Sequence, residues 1–219
     1  MDIKHNKNFF KINASLKILG AGMLIAGLLL LWLGWSYISW ILMLILTPSG
    51  LALFLYVSIV RSNDSDILED ISKALEDMDT NVENIPYYNK RARYREPFIA
   101  KGFEYSDGLM FQTSKDGSII STAYTQSVIH ILEDRLYIIS KTVSPISEDT
   151  ANNIYDILLN DVASVELVKE RKKVPYKKSY FLANAAYLAI KTNDNQILLP
   201  IHDDINTDEF IAMLQKKIQ

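Results

Sequence analysis

Hydrophobic and polar positions change their period twice along this chain. From Ile18 to Val60 no side chain is charged. A bilayer core needs about 20 residues of helix, so this run has room for two spans. A break at Gly34-Trp35-Ser36-Tyr37 gives helices over 18–35 and 38–60. It also gathers Trp32, Trp35, Tyr37 and Trp40 at one end, where amphipathic rings suit the headgroup level. Thr47-Pro48-Ser49-Gly50 is turn-like too, but a break there leaves too short a second span. Pro48 is then expected as a kink inside the second helix. A secretory signal peptide fits poorly, because the apolar run is too long and has no small-residue cleavage site. Gly22 and Ala26 have small-xxx-small spacing. Packing within the hairpin is the first expectation for them and self-association the alternative.

After Arg61 the pattern becomes helical. Ile67, Ile71, Leu75, Met78 and Val82 recur every three or four positions, predicting an amphipathic connector helix over 64–83, with Asp66 and Glu69 as a capping box. It carries eight acidic side chains against Lys73 alone. Beyond Pro86 the period falls to two. Strands are predicted at 98–105, 108–113, 119 onward, 128–132, 136–140, 154–159, 162–168, 180–192 and 196–201. Asp107-Gly108, Lys115-Asp116-Gly117, Glu133-Asp134-Arg135 and Asn193-Asp194-Asn195 supply the turns. A closing helix over 207–218 buries Phe210, Ile211, Leu214 and Ile218. The predicted divisions are a tail over 1–17, a two-helix transmembrane hairpin over 18–60, the connector over 61–85 and a soluble domain over 86–219. The fold class is a membrane-anchored α+β protein, mainly antiparallel β in its soluble part, forming a small barrel or bent sheet with a C-terminal helix.

Charge adds orientation. Lys4, Lys7, Lys11 and Lys17 precede the first span, Arg61 follows the second, and the turn between has neither Lys nor Arg. By the positive-inside rule both termini are expected in the cytoplasm, with the chain integral to the cell (inner or plasma) membrane. No Asp, Glu, Lys, Arg or His lies within the spans, which argues against a transporter or channel. Zero cysteines remove disulfides, thiolate metal sites and thiol nucleophiles.

The ordered run EDRLYII, LLNDVASVEL, AYLAIKTNDNQILLPI and TDEFIAMLQKKI resembles the bacterial pleckstrin-homology-like (PH-like, GRAM-like) domains, over about 95–219. Glu133-Asp134-Arg135-Leu136-Tyr137 and Leu159-Asn160-Asp161-Val162-Ala163-Ser164-Val165 carry the likeness. Many proteins of that kind have a pair of transmembrane helices before the domain. The resemblance implies a PH-like barrel or sheet and a binding role.

Candidate chemistry centres on KERKKVPYKK. The chain is acidic, with net charge -3, yet this stretch holds Lys169, Arg171, Lys172, Lys173, Lys177 and Lys178. With Pro175 in it, it is expected to be a hairpin loop. Contact with anionic lipid headgroups is one reading, at about 1 kcal/mol per basic residue; pairing with the acidic connector and plain solvation are the others. Lys90, Arg91, Arg93 and Arg95, interleaved with tyrosines, form a second basic stretch. Because residues 61–219 are more acidic than the whole, nucleic acid is not an expected partner. His202-Asp203-Asp204 lacks distant ligands, so no metal and no cofactor is expected. No nucleophile elbow, P-loop or dinucleotide-binding glycine pattern occurs. The expected function is a non-enzymatic membrane-anchored binding or scaffold module, its cytoplasmic domain contacting lipid headgroups or an unknown protein partner. The alternative is a membrane-anchored β-barrel effector gated by a small ligand such as a cyclic nucleotide, with rings from Tyr124, Tyr137, Tyr155 and Tyr187.

Overall fold

The computed structural model describes residues 2–12, 15–33, 37–92, 95–176, 179–202 and 205–218. They divide into two compact units, Asp2–Leu68 and Glu69–Gln219.

In the first unit, α2 (Ser15–Leu33) and α3 (Tyr37–Val60) form an antiparallel pair. Both are long and apolar enough to cross a membrane. Their lengths of 19 and 24 residues give about 28 and 36 Å at 1.5 Å per residue, against about 30 Å of bilayer core. Pro48 lies inside α3 as expected. Gly34, Trp35 and Ser36 of the predicted turn fall outside the described residues, while Trp32, Tyr37 and Trp40 beside it are exposed. The helices meet at glycines. A Cβ on Gly20 would stand 2.8 Å from the Phe54 nitrogen, and one on Gly50 2.6 Å from the Leu24 nitrogen. Gly22 has nothing within 4 Å of its would-be Cβ. The expectation that Gly22 and Ala26 pack the hairpin is therefore corrected: both sit on its exposed side, and the seam runs through Gly20, Gly27 and Gly50.

The region expected as a tail contains a helix, α1 (Ile3–Lys11). The Asp2 carboxylate caps it by accepting from the His5 amide at 3.1 Å. α1 is bound to the exit of α3. Asn8 donates to the Val60 carbonyl at 2.9 Å, Ser62 Oγ to the buried Asn6 at 2.7 Å, and the Arg61 guanidinium lies 4.4 Å from the Phe9 ring centre. The basic residues flanking the two helices thus collect at one end of the hairpin.

The connector helix α4 spans Asp64–Leu75, shorter than the predicted 64–83. Asp66 Oδ2 accepts from the Asn63 amide at 2.8 Å, so the cap bond joins Asp66 to Asn63 rather than to Glu69. α4 stops because its last turn finds a partner elsewhere. Buried Lys141 donates to the Ala74 carbonyl at 2.7 Å and pairs with Asp77, a cation satisfying helix C-terminal carbonyls. The chain then continues to a 3-10 turn at Val82–Asn84.

Nine strands follow among the described residues: β1 (Phe98–Phe103), β2 (Phe111–Thr113), β3 (Ile119–Ser121), β4 (Tyr124–Ile131), β5 (Arg135–Val143), β6 (Thr150–Leu158), β7 (Val162–Tyr176), β8 (Ser179–Thr192) and β9 (Gln196–Pro200). They form three antiparallel sheets, β1-β4-β5-β6, β2-β3 and β7-β8-β9. The predicted turns hold. Gly108 and Gly117 both have φ of 86°, open to glycine at little cost, and Asp116 fixes the second turn by accepting from the Ser118 amide at 2.9 Å. Among the described residues no closed barrel forms. The His202 amide donates to the Lys101 carbonyl at 3.1 Å and joins the first and third sheets beside β1, while β6 and β7 remain edges. Ile129, Leu136 and Ile138 from one sheet, Val165, Leu188 and Ile190 from the other, and Phe210 and Leu214 from α5 (Ile205–Ile218) make the core. α5 seals the β7 side through Gln215, which donates to the Val165 carbonyl at 2.9 Å.

The far face of the four-stranded sheet carries Tyr124, Val128, His130, Tyr137 and Lys141 in register. The chain after α4 covers it, with Val82 and Ile85 packed on Leu132, Tyr137 and Ile139. Tyr155 pairs with Ile138 and so points to the opposite face from Tyr124 and Tyr137. The tyrosines expected to line a common pocket are split by the pleat. Arg135 clamps this region: it bonds Asp134 at 3.0 Å and Asp156 at 3.2 Å, with its guanidinium 3.9 Å from the Tyr87 ring centre.

Lys141→Ala leaves the Ala74 carbonyl and Asp77 without their cation, so backbone amides over residues 75–88 should exchange with deuterium faster while core amides of β8 do not. His130 is 2% exposed, and its Nε2 has no hydrogen-bond partner among the described residues. Burial holds its pKa below the ordinary 6.5, against a smaller opposing effect of the Asp79 carboxylate. The unfolded chain therefore takes up the proton first as pH falls. Thermal stability should decline as pH drops below about 6.5, and His130→Gln should remove that part of the profile.

Candidate functional site

From Lys169 to Tyr176, KERKKVPYKK is strand, not loop. β7 has 15 residues and pairs with β8 without interruption from Ser164↔Lys191 to Tyr176↔Ser179. Pro175 is tolerated because β7 is an edge strand, where a missing amide need cost no ladder bond. β9 pairs only with Tyr187–Lys191 of β8. Beyond that point β7 and β8 run on as a two-stranded ribbon, and Lys177 and Lys178 lie outside the described residues.

Side chains alternate across a strand, so the register sorts this basic stretch onto two faces. Glu170, Lys172 and Val174 share one face with Ala183, Ala185 and Tyr187. That face is packed. Val174 and Ala183 are buried against Phe111, with Tyr105, Leu109, Ile119 and Phe181 around them. Lys172 Nζ lies 3.1 Å from Glu170 Oε1 and 4.8 Å from the Tyr187 ring centre. Burial works against its charge, but Tyr187 and Glu170 outweigh it and hold its pKa above the ordinary lysine value. Burial also pushes the nearby Tyr105 hydroxyl up to about 12. Lys172 is thus neutralised locally and does not belong with the other candidates.

The second face presents Lys169, Arg171 and Lys173 beside Tyr180, Leu182, Asn184 and Ala186. Tyr180 and Leu182 are 55% and 53% exposed, and Lys173 Nζ sits 5.2 Å from the Tyr180 ring centre. At the base of this face is an open groove of about 390 Å³, lined by Lys169, Glu170, Arg171, Asn184, Ile201 and His202 among others. Its wall is fixed by the Ile201 amide, which donates to the Ala186 carbonyl at 3.0 Å. Three cations, two exposed apolar side chains and a polar groove make a surface that suits an anionic amphiphile. Asn184 and His202 were not among the predicted binding residues. The only signal for Asn184 is its cross-strand place opposite Arg171, which depends on the register.

The second basic stretch is separate. Lys90 and Arg91 are exposed in turns stabilised by Asn89, whose Oδ1 accepts from the Arg91 amide at 3.0 Å, and Arg93 lies outside the described residues. Arg95 lines a different hollow of about 410 Å³ with Lys216 and Lys217 of α5. In the acidic connector, Asp77 pairs with Lys141, which belongs to neither basic stretch. Among the described residues no cluster of three metal-ligating side chains occurs, and Asp203 and Asp204 lie outside them. No protein-family model, curated protein or solved structure matches this chain.

The two faces separate in experiment. Val174→Ala, which removes packed methyls worth about 2 kcal/mol, should speed amide exchange over Ser179–Ala185 about thirtyfold. Lys173→Ala, on the exposed face, should leave it within about twofold.

Proposed function

We propose that this chain is a non-enzymatic, membrane-anchored binding module that touches anionic lipid headgroups through the outer face of its β7–β8 ribbon. The observation that carries the reading is the sorting of Lys169, Arg171 and Lys173 onto one exposed face with Tyr180 and Leu182. Cationic heads and amphipathic or apolar side chains side by side suit a bilayer interface, where the heads meet phosphates and the apolar groups enter the acyl boundary. The two apolar helices support the anchor. The Lys-rich α1 bonded beside Arg61 supports the placement of both termini on one, cytoplasmic, side. A PH-like ancestry is part of the proposal; the order of hairpins and the closing α5 agree with it.

Three facing cations contribute about 3 kcal/mol near an anionic surface, about a hundredfold in partition. Because the chain has no cysteine, Leu182→Cys gives a single site for an environment-sensitive dye on the full-length protein. In nanodiscs of phosphatidylcholine with added phosphatidylglycerol the emission should shift to the blue, and high salt should reverse the shift. Adding Lys169→Glu, Arg171→Glu and Lys173→Glu should abolish it. Equal emission in neutral and anionic discs would sink the proposal.

A further inference from the structure

The edges of these sheets are not protected alike. A bare strand edge offers unpaired amides and carbonyls to any other strand, and proteins blunt such edges with Lys, Pro, bulges, brevity or a covering element. β7 has its basic residues, Pro175, an irregularity between Val162 and Ser164, and α5 bonded to its Val165 carbonyl. β9 is five residues long and ends at Pro200. β1 is met by the chain leaving β9, where His202 bonds to Lys101. Among the described residues β6 has none of these. It reads TANNIYDIL, without Lys, Arg or Pro, and its register with β5 has no break. Among the described residues no backbone hydrogen bond joins it to any other strand. Thr150 to Ile154 are all exposed, and Ile154, the midpoint of the strand, is 63% exposed.

We propose that β6 pairs antiparallel with β6 of a second copy of this chain, about a two-fold axis through Ile154. Centred there, the pairing uses the whole strand. It sets Ile154 against its counterpart, Ala151 against Ile157, and Thr150 against Leu158. The strand's one charged residue, Asp156, falls opposite Asn152 of the second copy, so no like charges face one another. Asp156 is already neutralised by Arg135, and the two-fold arrangement closes on itself at two copies. Given the membrane anchor, both copies are confined to one bilayer, which raises their effective concentration. The pairing leaves the basic ribbon face free, so it does not depend on lipid contact.

The test uses the full-length chain in bilayers, again exploiting the absence of cysteine. Facing residues of an antiparallel pair have Cα atoms about 4.5–5.5 Å apart, within disulfide range. Ile154→Cys should give a disulfide-linked dimer under mild oxidation. Asp194→Cys, in the exposed β8–β9 turn, should give none. Ile154→Lys, which places two ammonium groups on the axis, should convert the dimer to monomer by single-molecule photobleaching without changing thermal unfolding of the monomer fold. Equal cross-linking at 154 and 194 would overturn the proposal, as would a dimer that survives Ile154→Lys. A wild-type chain that is monomeric in bilayers overturns it too and leaves the edge to a strand of another protein.

Discussion

The long antiparallel pairing of β7 with β8 is the constraint on which most of the soluble unit depends. Near its base it delivers Val165, Leu188 and Ile190 to the core. Farther out the same alternation sends Val174 and Ala183 onto Phe111 and leaves Lys169, Arg171 and Lys173 facing away. One register thus decides both what is buried and what is offered to a ligand. A slip by one residue would exchange the faces, burying three cations and exposing the residues that pack the ribbon. The buried small residues of β8 and the packing of Phe111 hold that register, and the basic residues of β7 follow it.

Charge in this molecule is managed by a few specific cations rather than by overall balance. Lys141, buried in the covered sheet face, ties the end of α4 and Asp77 to β5. Arg135 gathers Asp134 from its own turn, Asp156 from β6 and the Tyr87 ring from the chain before β1. Lys172 is cancelled beside Glu170. The outer ribbon face holds a small subset of the positive charge in the sequence, gathered there by the register. In the first unit the controlling feature is close approach: the backbones at Gly20 and Gly50 leave no room for a Cβ.

The apolar helices, the turns at Gly108, Gly117 and Asn193–Asn195, most strands and the closing helix were legible in the sequence, because each is written in local periodicity and turn residues. The basic stretch was misplaced as a loop. Five polar residues in a row, Lys169 to Lys173, show no alternation, and the pattern that makes them strand lies in their partners Ala183 and Ala185 on β8. α4 was drawn too long because its acidic periodicity runs past Leu75, while its end is set by Lys141, far away in sequence. The α1 helix went unread because its stability comes from Asn6 and Asn8 bonding to the exit of α3.

By itself the sequence determined which segments are apolar enough for a membrane, where the chain turns and which residues carry charge, since these are properties of neighbours along the chain. Only the tertiary structure decided which of those charges share a face, which are cancelled, which glycines form the helix seam and which strand edge is left bare. Each of those depends on residues far apart in the chain meeting in one register, and hydrogen-bonded pairing across strands, not local preference, sets that meeting.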